Sequence, residues 1–152
     1  MEEMRNTVTL NELELVVVEH EWYDGPVSGV AYVDGVPHQF LRAEDEPEED
    51  GSYKFKVWPI SPETLAIEIE SWKIFVNWNR EYEAGSAGLD RHPASGGISE
   101  RYDQLEGELA CYRALPHSAR NMLGRKGWLD AEERYSESGP GYGFVWRESD
   151  AL

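Results

Sequence analysis

The stretch richest in groups that could do chemistry runs from residue 20 to 40, HEWYDGPVSGVAYVDGVPHQF, and sets two histidines and two aspartates among glycines and prolines. If the strands around it bring His20, Asp24 and His38 together, they could hold a metal or supply a general base. The spacing argues for a plainer reading. The two histidines are 18 residues apart and make no H-E-x-x-H pair, and the lone cysteine rules out a Cys-x-x-Cys clamp. Asp24 precedes Gly25-Pro26, where an aspartate serves the turn's own N–H groups. The stretch therefore reads first as the corners of a sheet, with His20, Asp24 and His38 as an alternative site.

Other candidates are thinner. Cys111 falls inside an expected helix, where a thiol behaves as a small buried apolar group. The pairs His92/Ser95 and His117/Ser118 lack a G-x-S-x-G elbow. GSAG and SGG lack both the strand before and the Lys-Ser/Thr after that a phosphate loop needs. EDEPEED lacks the central glycine and alternating ligands of a calcium loop. The sequence thus assigns no catalytic residue, metal site or cofactor, and leans away from an enzyme.

The elements that would position these residues are clearer. ELELVVVEHEW, from residue 12, alternates and then becomes continuously apolar. It reads as a strand covered on both sides, Leu13, Leu15 and Val17 on one face and Val16 and Val18 on the other. VSGVAYV and VPHQFLRA flank Asp34-Gly35, a strong signal for a type I′ hairpin. SYKFKVWPI alternates as a half-buried strand. Ser61 caps a helix over 62–84 with Pro62 at its first position. Leu65, Ile69, Trp72 and Val76 form its apolar stripe, and Glu63, Glu68 and Glu70 near its start suit the helix dipole. Residues 85–97 form a long polar loop. A second helix spans 100–114, and a C-terminal β-hairpin lies around GPGYG at about 127–148. The order gives an α+β single domain over 1–152: an antiparallel meander of about five or six strands, the first four over about 12–60, packed against two helices.

Charge supplies the functional expectation. Thirty acidic residues against 14 basic ones leave a net charge of −16. That surface repels nucleic-acid backbones and anionic membranes, and it speeds encounter with a basic partner. The start MEEMRNTVTL is acidic and lacks the apolar core of a signal peptide, and no apolar run is long enough to span a bilayer, so a cytoplasmic protein is expected. RALPHSARNMLGRK, from residue 113, carries four bases and no acid, and is expected to dock on the chain's own acidic face. The reading is a small, acidic, non-catalytic interaction domain, in charge resembling immunity-type inhibitors, that binds a basic protein partner. The expected contacts are the loop residues Glu44, Asp45, Glu46, Glu48, Glu49 and Asp50, with Trp78 as an aromatic anchor. The alternatives are a small-ligand or metal-dependent enzyme using His20, Asp24 and His38, and a homodimer formed through a strand edge.

Overall fold

The computed structural model describes residues 12–129 and 134–149. Strands β1 (Glu14–Trp22), β2 (Pro26–Val33), β3 (Val36–Arg42) and β4 (Tyr53–Pro59) succeed one another as an antiparallel meander. Helix α1 (Pro62–Glu83), two 3₁₀ turns (Leu89–Arg91 and Pro93–Ser95) and helix α2 (Glu100–Leu109) come next. Strands β5 (Arg120–Trp128) and β6 (Tyr142–Glu148) complete the chain order. The sheet is not an open layer with a hairpin laid beside it. β5 pairs with β4, and β6 pairs back onto β1 at Glu14↔Phe144 and Leu15↔Gly143, which closes six strands into a barrel. The C-terminal pair is part of that barrel, and it starts at Arg120 rather than near residue 127. No helix among the described residues is long and apolar enough to cross a membrane.

Closure stems from what the strands bury. Val16, Ala31, Val33, Phe40, Phe55, Val57, Met122, Tyr142 and Phe144 point inward as one cluster. The rings of Phe40, Phe55 and Phe144 meet edge to face at 5.0–5.5 Å, the arrangement that aromatic quadrupoles favour. The barrel interior is thus filled by side chains. The Asp34-Gly35 turn forms as its residue types require, both residues at positive φ (53° and 76°), and the Glu14 carboxylate accepts from both N–H groups.

Three register slips interrupt the β1–β2 pair, and two of them, both with the extra residue in β1, decide which residues face outward. Val16 pairs with Ala31 but Val18 pairs with Val30, so the register slips around Val17. Val16 accordingly lies in the barrel core while Val18 lies outside, in a second cluster with Val30, Trp72 and Val76 beneath α1. Strict alternation puts Val16 and Val18 on one face; the extra residue separates them. A second slip lies between Glu19↔Gly29 and Glu21↔Ser28.

α1 begins as expected, with the Ser61 side chain accepting from the Thr64 N–H and Pro62 leading the helix. Its buried stripe differs. Thr64, Glu68, Ser71, Trp72 and Val76 are buried, whereas Leu65 and Ile69 are half-buried. Glu68 is 0% exposed, and so is not the solvated charge near the helix start that the sequence suggests. α2 ends at Leu109 instead of 114, because the chain must turn there to send Arg113 back to α1; Cys111 then falls outside the helix and is exposed.

Gly29 sits at the tightest point of β2. A Cβ there would collide with the Val18 carbonyl oxygen and press on the Phe40 ring. Gly29→Ala is expected to cost about 1–3 kcal/mol by overpacking, read as a lower urea midpoint at unchanged m-value; an unchanged midpoint contradicts this account of the bulged β1–β2 pair.

Candidate functional site

The site lies outside the barrel, between its wall and the helices. A cavity of about 470 Å³ opens there, within the size range of small-ligand pockets. The floor is the outer face of β1 to β4, with His20, Glu21, Ser28, Gln39, Leu41 and Trp58. α1 contributes Ser71, Trp72 and Phe75, the second 3₁₀ turn and its cap contribute His92 and Ala94, and α2 and the turn after it contribute Tyr102, Glu106 and Arg113. The bulge at the end of β1 matters here. It lets the consecutive residues His20 and Glu21 both line the cavity, where regular pleating would send one of them inward.

Behind the floor sits Glu68. His20 Nε2 donates to Glu68 Oε1 at 3.0 Å, and Gln39 Nε2 donates to Oε2 at 2.6 Å. Arg113 grips both oxygens, Nη2 to Oε1 at 2.7 Å and Nε to Oε2 at 3.0 Å. The same guanidinium donates to Glu106 at 2.8 and 2.9 Å, and Ser71 Oγ donates to Glu106 at 2.7 Å. Burial by itself would push the Glu68 pKa up. The hydrogen bonds from His20 and Arg113 and, at the acid pH where Glu68 protonates, the charges of those two groups outweigh that and hold it at about 2, against an ordinary 4.5. Burial likewise works against charge on Arg113, and its bonds to Glu68 and Glu106 raise its pKa despite that. Tyr102 is pushed up to about 12, by burial first and then by Glu106.

An ionised carboxylate can only accept. That fixes the hydrogens around it. Nε2 of His20 carries the proton, and in the neutral imidazole Nδ1 is left as an acceptor. The Gln39 amide must present its NH₂ to Glu68, which turns its Oε1 away; Gln39 is 2% exposed, and no described residue donates to that oxygen. His92 runs the other way: Nδ1 accepts from the Ala94 N–H, so Nε2 is a donor in the neutral ring. The indole N–H groups of Trp58 and Trp72 are occupied by the carbonyls of Tyr112 and Ser136, which leaves ring surface to wall the cavity.

Of His20, Asp24 and His38, only His20 enters this cavity; His92, from the His92/Ser95 pair, also lines it. Asp24 is exposed in the β1–β2 turn at positive φ, 55°. His38 pairs with Ala31, an inward-facing position, and its Nδ1 bonds the Val36 carbonyl beside the Asp34-Gly35 turn, at the opposite end of β2 from Asp24. The barrel wall therefore separates His38 from His20, and the three do not converge. The described residues contain no group of three His, Cys, Asp or Glu side chains suited to a metal ion. Glu44 to Asp50 are exposed, and several are tethered: Asp45 to Arg42, Glu44 to Lys54 and Asp50 to Arg147. Trp78 is 9% exposed, donates to the Gly88 carbonyl and stacks with Tyr82 at 5.1 Å, so it is an internal packing residue rather than an exposed anchor. The exposed tryptophans are Trp22 and Trp128, which flank cations, Lys126 and Arg134, instead of acids. The basic segment does dock on the chain's own acids, through Arg113 to Glu68 and Glu106 and Arg120 to Asp34.

Glu68, Gln39, Glu106 and Glu21 were not legible as site residues. One signal existed: Glu68 stands four residues before Trp72 and eight before Val76, on the apolar stripe itself. A charge placed there is either an error of register or a buried, paired group. Compared with known proteins, the chain matches no family model, no curated protein and no solved structure.

The pH dependence of stability has a definite sign. Glu68 has a depressed pKa in the fold, so its contribution to stability is complete above about 4.5 and is lost as pH falls toward about 2. Glu68→Gln leaves the Arg113 charge poorly compensated and is expected to destabilise by about 3–5 kcal/mol at neutral pH. Its stability should also fall less steeply than the wild type's between pH 4.5 and 2. Urea titrations at stepped pH measure both; equal slopes contradict the assignment.

Proposed function

We propose that the protein works by binding a basic protein partner, with the cavity between barrel and helices as the seat and the 44–50 loop as the attracting surface beside it. The observation that supports this most directly is the charge and wall chemistry of the cavity. Four carboxylates (Glu19, Glu21, Glu68 and Glu106) lie in or behind its lining against two guanidiniums, Arg113 and Arg134, and both guanidiniums are already bonded to carboxylates. Glu21 has only the Ser28 hydroxyl, at 3.4 Å, among the described residues. Aromatic walls next to unneutralised acid favour a cation. The loop adjoins this rim by register: Glu21 pairs with Ser28, Ser28 with Leu41, and the loop starts three residues after Leu41. A net charge of −16 steers a basic partner to the molecule from a distance, and the recess gives it something to hold.

One further observation favours a second reading. A carboxylate that orients an imidazole is also how a general base is prepared, and His20 lines the cavity with Glu68 behind it. That reading keeps His20 from the enzyme alternative without Asp24 or His38.

Trp58 and Trp72 line the cavity and supply the readout. At moderate salt, a hexa-arginine peptide is expected to bind and change tryptophan fluorescence, while a hexaglutamate peptide does not. Glu21→Lys, which reverses the charge at the exposed rim, should weaken that binding by about tenfold or more, the effect of one charged contact. Equal response to the two peptides, or full binding by Glu21→Lys, overturns the reading.

A further inference from the structure

We infer that the group the cavity receives is the guanidinium of an arginine side chain, held by Glu21, His20 Nδ1 and Gln39 Oε1. This rests on the reading of a basic partner and names what that partner inserts. Unused hydrogen-bonding capacity points to it. Glu68 takes the Nε2–H of His20 and the amide NH₂ of Gln39, which leaves the Gln39 Oε1, and the His20 Nδ1 in the neutral ring, as unused acceptors. Both residues line the cavity, as does Glu21. Gln39 is 2% exposed, and its Oε1 has no donor among the described residues. That oxygen keeps some accessible surface on the cavity side, so a donor that enters the cavity can reach it. Three acceptors, one of them charged, call for a ligand that is a cation and carries several donors at once.

Among side chains, that ligand is arginine. Its planar fork carries five donors and no acceptor, and it stacks on aromatic faces such as those of Trp58 and Trp72. Lysine brings the charge on a single tetrahedral head, with less reach to separated acceptors and stronger hydration. The protein itself shows the same chemistry once already, where Arg113 is forked between Glu68 and Glu106.

Small probes test this apart from surface attraction. With the full chain at moderate salt, N-acetyl-arginine amide is expected to bind and perturb tryptophan fluorescence. N-acetyl-citrulline amide, of nearly the same shape but uncharged and with one donor group replaced by a carbonyl, should bind about tenfold more weakly or less, and N-acetyl-lysine amide should fall between them. His20→Lys keeps a donor for Glu68 but offers no acceptor, and Glu21→Gln removes only the rim charge at an exposed position. Each should weaken the arginine probe by about tenfold. Circular dichroism checks that both variants are folded, and Glu21→Gln stands as the test if His20→Lys is not. Equal affinity for citrulline and arginine, or undiminished arginine binding in the folded variants, overturns the inference. Hexa-arginine binding without uptake of the single-arginine probe overturns this inference while leaving the basic-partner reading in place. Absence of both defeats both.

Discussion

A single carboxylate organises this molecule. Glu68 is fully buried, and an ion in that position is tolerated only when its lone pairs are occupied by good donors. Here all of them come from distant parts of the chain: His20 on β1, Gln39 on β3 and Arg113 after α2. The carboxylate therefore does two things. It ties the helical layer to the barrel wall at one point, and, being unable to donate, it dictates the orientation of every group around it. The acceptor-lined character of the cavity results from that second property.

The fold makes room for this outside the barrel. The interior is packed with Phe40, Phe55, Phe144 and their neighbours. α1, the two 3₁₀ turns and α2 all lie between β4 and β5 in sequence, and they arch over the outer face of β1 to β4. Val18, Val30, Trp72 and Val76 hold that layer down at one side. Tyr135 and Ser136, just before β6, brace it from another: the Trp72 indole donates to the Ser136 carbonyl, and the Tyr135 ring packs on Trp72 and Phe75. The cavity is the space left between these fixed points. The bulge in β1 then turns His20 and Glu21 into it together.

Much of the frame was legible because it depends on local chemistry. The Asp34-Gly35 turn, the Ser61-Pro62 helix start and the alternation of Tyr53, Phe55 and Val57 are each set by a few neighbouring residues. Barrel closure was not, because it rests on pairing Glu14 and Leu15 with Phe144 and Gly143, far away in sequence. The bulges have no composition signature, and each one inverts the facing of the strand residues beyond it, which is how Val16 and Val18 came to lie on opposite sides. The site was legible only at His20. Its meaning depends on Glu68, 48 residues away, and acidic residues are so common in this chain that one buried acid does not stand out. Trp78 misled for the opposite reason: six positions from Trp72 leaves its facing open, and the polar loop after α1, with His92 at 4.4 Å, covers it.

The most direct measurement is a two-bond ¹H–¹⁵N correlation spectrum of histidine-labelled protein near neutral pH, with His20 assigned by comparison with His20→Gln. His20 should carry a proton on Nε2, because Glu68 can only accept, and the guanidinium site further requires that Nδ1 carry a lone pair. Protonation on Nδ1 alone, or a doubly protonated ring at neutral pH, would mean that the cavity does not offer the acceptor that an incoming guanidinium needs.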